Sequence, residues 1–191
     1  MAMNDIRRPS TQRIARDSPE YPSPLRARLG PDAPETLVVL GDPGLLRSRR
    51  TALFCSVRTP GGAILRAHDA ARRMRDEGVT VVSGFHSPIE KECLRILLRG
   101  KQPIIICPAR TIETMRIPTE SRAAFDAGRV LFLSPFIKEP KRVTQESAAR
   151  RNQFVAALAD DGYIAHSSAG GLTAQIAEML MQWTVPLVPP R

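Results

Sequence analysis

From Thr36 onward, short apolar runs alternate with longer stretches in which apolar residues recur every three or four positions. The runs TLVVL (36–40), TALFCSV (51–57), VTVVSG (79–84), PIIIC (103–107), RVLFLS (129–134), GYIAH (162–166) and VPLV (185–188) predict strands. One helix is predicted after Gly61 and Gly62. It buries Ile64, Leu65, Ala67, Ala70, Ala71 and Met74 and closes at Gly78, as a C-cap glycine would. Another opens at Pro88 with Ser87 as its cap and buries Ile89, Cys93, Leu94, Leu97 and Leu98 on its way to Gly100. A short helix ends near Gly128, and two more are predicted over 145–159 and 171–182. Strands that are apolar throughout, separated by helices, imply an α/β fold. The expected architecture is a doubly wound, mostly parallel, Rossmann-like sheet with helices on both faces, forming a single domain over 35–191. Residues 1–34 are polar, proline-dotted and without periodicity, which predicts a disordered or loosely docked arm.

In such sheets ligands bind beyond the carboxyl ends of the strands. The polar and glycine-bearing turns fall on that edge: Ser56 to Gly62 with Arg58, Ser83 to Ser87 with Gly84 and His86, Ser134, and Ser167 to Gly171. The stretch RRNQFVAALADDGYIAHSSAGGLTA (150–174) concentrates the candidate chemistry. Its Arg-Arg-Asn cluster (Arg150, Arg151, Asn152) opens an amphipathic helical stretch, where basic side chains oppose the helix dipole unless an anion joins them. Its Gly170-Gly171 turn opens the next helix, whose unpaired N–H groups suit a phosphate. Two arginines nearby would close that site with a bidentate geometry that lysine lacks. The GxGxxG fingerprint is absent after the first strand, which argues against a plain NAD enzyme.

Charge narrows the ligand further. The chain has 28 basic and 19 acidic residues and a formal net charge of +9, and only Lys91, Lys101, Lys138 and Lys141 are lysines. A net-positive surface attracts nucleic acid or other polyanions. With two tyrosines and one tryptophan, a broad base-stacking platform is not expected, and Phe85 is the one stacking candidate near a turn. Arginines 47, 49 and 50 and Lys138, Lys141 and Arg142 would extend a nucleic-acid track if they cluster at the crevice. Cys55, Cys93 and Cys107 have no metal-ligand spacing and predict reduced, buried thiols. No apolar run reaches the roughly 18 residues of a membrane span and the N-terminus lacks a signal-peptide core, so a cytoplasmic protein with no membrane partner is expected.

The turns, in this order, resemble the DNA-processing protein A (DprA, or Smf) family within the nucleotide-binding SLOG superfamily, over roughly 21–190. YPSPLRARLGPDAPETLVVLGDPGLL resembles the family's opening segment, and ALFCSVRTPGG its first strand and Gly-Ser-Arg turn. VVSGFHSPIEKECL resembles the family's VVSG-x-A-x-GID segment, LSPF its LSEF, RRNQFVAALAD its RRN-x-x-IAGLSD and SSAGGLTA its SGSLxTA. The chain departs from the pattern at Cys55, Val57, Pro88, Glu90 and Pro135, and no C-terminal winged-helix module is expected before Arg191. The resemblance implies a non-enzymatic domain that binds single-stranded DNA without a cofactor, pairs as a homodimer and assists a recombinase. It implies phosphate-contacting roles for Ser56, Arg58, Gly61, Gly62, Ser83, Gly84, Arg150, Arg151, Asn152, Gly170, Gly171 and Thr173. A second reading is a SLOG nucleotide sensor or a phosphoribohydrolase of the LOG type. For that reading AGGLTAQIAE supplies Gly170, Gly171, Thr173 and Glu178 but lacks the group's leading proline and third glycine.

Overall fold

The computed structural model describes residues 10–56, 59–168 and 170–189. Its strands are β1 (Gln12–Ala15), β2 (Thr36–Leu40), β3 (Arg50–Phe54), β4 (Thr80–Ser83), β5 (Ile104–Ile106), β6 (Val130–Ser134) and β7 (Asp161–Ile164). They form one sheet in the order β1-β2-β6-β5-β4-β3-β7. The five strands from β6 to β7 run parallel, whereas β2 is antiparallel to both its neighbours. The helices are α1 (Ser23–Leu29), α2 (Gly61–Asp76), α3 (Pro88–Leu98), α4 (Thr119–Asp126), α5 (Gln145–Leu158) and α6 (Leu172–Gln182).

The apolar runs become strands because both faces of the sheet are covered. Successive residues point to opposite faces, so Ala52 and Phe54 pack beneath α5 and α6 while Leu53 packs beneath α2 and α3. The doubly wound, mostly parallel architecture is the one the strand pattern implies. Crossing from β2 to its 3-10 turn needs Gly41: its φ is +117°, and a Cβ there would lie 2.8 Å from the Val130 carbonyl oxygen. The turn therefore closes directly on β6.

Four expectations need correction. The segment expected as an arm over 1–34 is built into the core from Gln12 onward. Tyr21, Leu25 and Leu29 are buried against α5, and the Tyr21 hydroxyl donates to the Pro34 carbonyl at 2.8 Å. β1 is four residues long and α1 seven, and within β1 only Ile14 turns inward, so neither element leaves a periodic signal. Residues 1–9 lie outside the described part of the chain. Leu65, placed in the buried stripe of α2, is 67% exposed, because the alanines and Met74 fill the helix's narrow inner face. VPLV makes one isolated bridge, Gly162 with Leu187, rather than a strand. Finally, Arg150 and Arg151 do not open a helix: α5 begins at Gln145 behind a Thr144–Ser147 capping box, which places the pair in its second turn.

Candidate functional site

Chain order steps from β3 through β4 and β5 to β6 on one side, and β7 then returns to the other side of β3. The connections leaving the carboxyl ends of β3 and β7 therefore turn to opposite faces of the sheet, α2 to one and α6 to the other, and a crevice is expected at such a reversal. A cavity of about 330 Å³ lies there, lined by Cys55, Ser56, His86, Ser87, Glu90, Ala148, Arg151, Asn152, Ser168, Gly171, Leu172 and Thr173. Five of the expected phosphate-contacting residues, Ser56, Arg151, Asn152, Gly171 and Thr173, share this wall.

Arg151 is the cation of the site and is only 3% exposed. Its Nε donates to Asn152 Oδ1 at 2.7 Å and its Nη1 to the Cys107 carbonyl at 3.1 Å, which ties α5 to the end of β5. The guanidinium lies over the turn after β4, where an added Cβ at Gly84 would sit 1.6 Å from Nη1. Gly84 thus clears space for a charge. Burial lowers the Arg151 pKa from its ordinary value, while the Glu90 and Cys107 groups nearby act to raise it. A guanidinium stays protonated under such a shift, so the cavity holds a fixed, poorly hydrated positive charge. On the opposite side Ser56 Oγ donates to Thr173 Oγ1 at 3.0 Å, bridging the end of β3 to the first turn of α6. Gly171 is the N-cap of α6 and offers no side-chain acceptor, so the amides of Leu172 and Thr173, both residues of the cavity wall, have no side-chain cap.

Glu90 is a site residue that the sequence reading did not assign. It is 7% exposed, and its Oε1 accepts from the Cys55 amide at 3.1 Å. Its Oε2 accepts from the amides of His86 at 2.8 Å and Ser87 at 3.1 Å. One carboxylate therefore joins the ends of β3 and β4 to the start of α3. The signal was the S-x-x-E spacing of Ser87 and Glu90, a capping box. That spacing foretells the bond to the Ser87 amide, but only the tertiary fold adds Cys55.

Other expected residues stand apart from the cavity. Gly61 and Gly62 are exposed at the start of α2, and Gly170 is exposed in a left-handed conformation at φ +70°. Ser83 is fully buried, and its Oγ accepts from the Phe85 amide at 3.2 Å, which fixes the turn. Phe85, the stacking candidate, is itself buried. Arg150 is exposed and stacks over the Phe136 ring at 5.6 Å. Arg58 lies outside the described residues. Arg49 and Arg50 are at the amino end of β3, across the sheet from the crevice. There Arg50 grips Asp160 and Arg49 pairs with Asp161, so they cannot extend a track at the carboxyl edge. Lys138, Lys141 and Arg142, in contrast, are exposed in the loop that follows the carboxyl end of β6.

The three cysteines are free and buried. A hydrogen bond with Cys93, together with burial, raises the Cys55 thiol pKa far above its ordinary value. Burial pushes Cys107 up to about 12. Neither is a thiolate nucleophile at neutral pH. Among the described residues no cluster of His, Cys, Asp and Glu could hold a metal ion, and no helix is long and apolar enough to cross a membrane. Glu178 is exposed on α6 and does not line the cavity.

The fold has close structural counterparts. DNA processing protein A from Streptococcus pneumoniae superposes with a TM-score of 0.76 at 17% identity, over 92% of this chain and 61% of that one. DNA processing protein A from Helicobacter pylori, whose structure concerns a single-stranded DNA binding mode, gives a TM-score of 0.72 at 19% identity. That match covers 93% of this chain and 79% of that one. This chain thus spans less than two thirds of the Streptococcus protein. No curated protein matches the sequence. The family model for DNA recombination-mediator protein A matches residues 12–188, a span that takes in β1, α1 and every element lining the crevice, and the chain belongs to that family.

Proposed function

We propose that this chain binds the backbone of single-stranded DNA, without catalysis or cofactor, across the crevice at the carboxyl edge of the sheet. The observation that carries the reading is Arg151: a desolvated guanidinium held by Asn152 and the Cys107 carbonyl, on the wall of a cavity that it shares with the uncapped start of α6. A buried cation and helix amides supply the charge-assisted donors that a phosphodiester oxygen accepts. A net charge of +9 supplies the long-range attraction. The single-stranded DNA binding mode of the Helicobacter pylori protein supports the same ligand. By the family pattern Arg58 supplies a further phosphate contact, and Arg150, Gly61, Gly62 and Gly170, exposed outside the cavity, supply others. Glu178 stands away from the cavity, which leaves the phosphoribohydrolase alternative without its carboxylate.

Fluorescence anisotropy with a labelled oligothymidylate tests the proposal, with a panel of mononucleotides as competitors. Binding should appear at low salt, and log K should fall by roughly 0.7 for each phosphate contacted per tenfold rise in salt. Absence of binding at about 50 mM salt, or binding indifferent to salt, rejects it. Self-association and hand-over of the strand to a recombinase extend the same proposal. Leu172 and Met181 on α6 are exposed and available for pairing, whereas Ile176 and Leu180 on that helix are core. Light scattering that finds only monomer at micromolar concentration removes the pairing.

A further inference from the structure

The amino end of α3 is built like an anion seat, yet the protein occupies it itself. Three amides, those of Cys55, His86 and Ser87, converge on the Glu90 carboxylate from two strand ends and one helix start. Helix starts of this kind bind phosphate in other α/β proteins because several N–H donors and the dipole point at one place. Here Glu90 fills that place from within, at 93% burial, and among the described residues no basic side chain forms an ion pair with it. It lines the same cavity as Arg151, whose charge it supports.

We infer that Glu90 is the specificity-determining residue of this cavity: it closes the α3 anion seat to free phosphate and to the terminal phosphates of nucleotides, and leaves only the Arg151 and α6 side for a phosphodiester. A terminal phosphate carries close to two negative charges and three acceptor oxygens, and a buried site must supply donors for all of them. A diester carries one charge and two free oxygens. With three amides already committed to Glu90, the donors left to a ligand are those of Arg151 and the start of α6, a better match to the diester than to the dianion. Like charges brought together in a partly desolvated site also repel each other strongly. The inference rests on the strand-backbone reading of the cavity for its second half, while the closure of the seat stands independently of any nucleic acid.

The experiment has two arms. In the first, inorganic phosphate is titrated into the parent protein while the backbone amide resonances of Cys55, His86 and Ser87 are followed by NMR. The three signals should stay unmoved, and a saturable shift at them overturns the inference whatever the oligonucleotide does. In the second, pyrophosphate competes with bound oligothymidylate on the parent, Glu90→Gln and Glu90→Asp. Glu90→Gln, which keeps one of the two acceptor oxygens and removes the charge, should be competed about tenfold better than the parent. Glu90→Asp, which keeps the charge, should resemble the parent. Equal competition on the parent and a folded Glu90→Gln overturns the inference. Should Glu90→Gln fail to fold, the amide titration of the parent decides. Should the parent bind no oligonucleotide, the proposed function fails while the first arm still reads the seat.

Discussion

Gly84 and Arg151 show how much of this site depends on a single missing side chain. The guanidinium occupies the volume a Cβ would need, 1.6 Å from Nη1, and there it bonds the Cys107 carbonyl. Gly84→Ala must push the guanidinium aside and strand a buried charge. We expect a loss of about 2–3 kcal/mol in stability, from overpacking and the broken charge-assisted bond. Oligonucleotide affinity should fall about tenfold at the same time. Urea denaturation and anisotropy on the same variant check both, and parental values in both would show that Arg151 is not held by this contact.

Among the elements, α1 matters more than its seven residues suggest. Leu25 and Leu29 lie under α5, and Arg28 Nη1 donates to the Ala157 carbonyl at 2.9 Å as well as to that of Ala159. These are carbonyls at the end of α5, which otherwise lack intrahelical partners, so α1 caps the helix that carries Arg151. Arg28→Ala should cost about 1.5–3 kcal/mol, the range for hydrogen bonds to a charged group. Its effect on DNA affinity should be small, because Arg28 is remote from the cavity. An unchanged denaturation midpoint would mean that the N-terminal segment does not brace α5.

At the scale of the whole molecule, stability should depend on pH on the alkaline side. Cys107 is pushed up to about 12 by burial, and the same cause raises Tyr21 and Tyr163, while the hydrogen bond with Cys93 leads the rise at Cys55. In the unfolded chain a thiol titrates near 8.5 and a phenol near 10. Between about pH 8.5 and 12 the unfolded state therefore binds fewer protons than the folded one, and stability falls as pH rises. Below that window these groups are protonated in both states and contribute no slope. Chemical denaturation at pH 7 to 10 should show a level region followed by a decline, and Cys107→Ala should make the decline shallower. Stability that rises with pH above 9 would contradict the buried-thiol account.

How far the sequence determines this protein depends on the range of the interactions involved. Runs such as TLVVL and RVLFLS bury both faces because helices cover the sheet on each side, and the glycine-bearing turns between them follow from local backbone chemistry. The sheet class, most element positions and the edge that carries the candidate site are therefore legible in order along the chain. β1 and α1 are not, because elements of four and seven residues owe their stability to the partners they pack against and leave no period to read. The same holds for charge. Sequence offers the arginines at 150 and 151 as the core of the site and those at 49 and 50 as its extension. Only the tertiary structure commits Arg50 to Asp160 on the far edge, leaves Arg150 exposed over Phe136, and buries Arg151 beside Gly84. Glu90 is the sharpest case. Its spacing from Ser87 encodes a helix cap, but the third amide comes from Cys55, 35 residues earlier, and the sheet alone brings the two together.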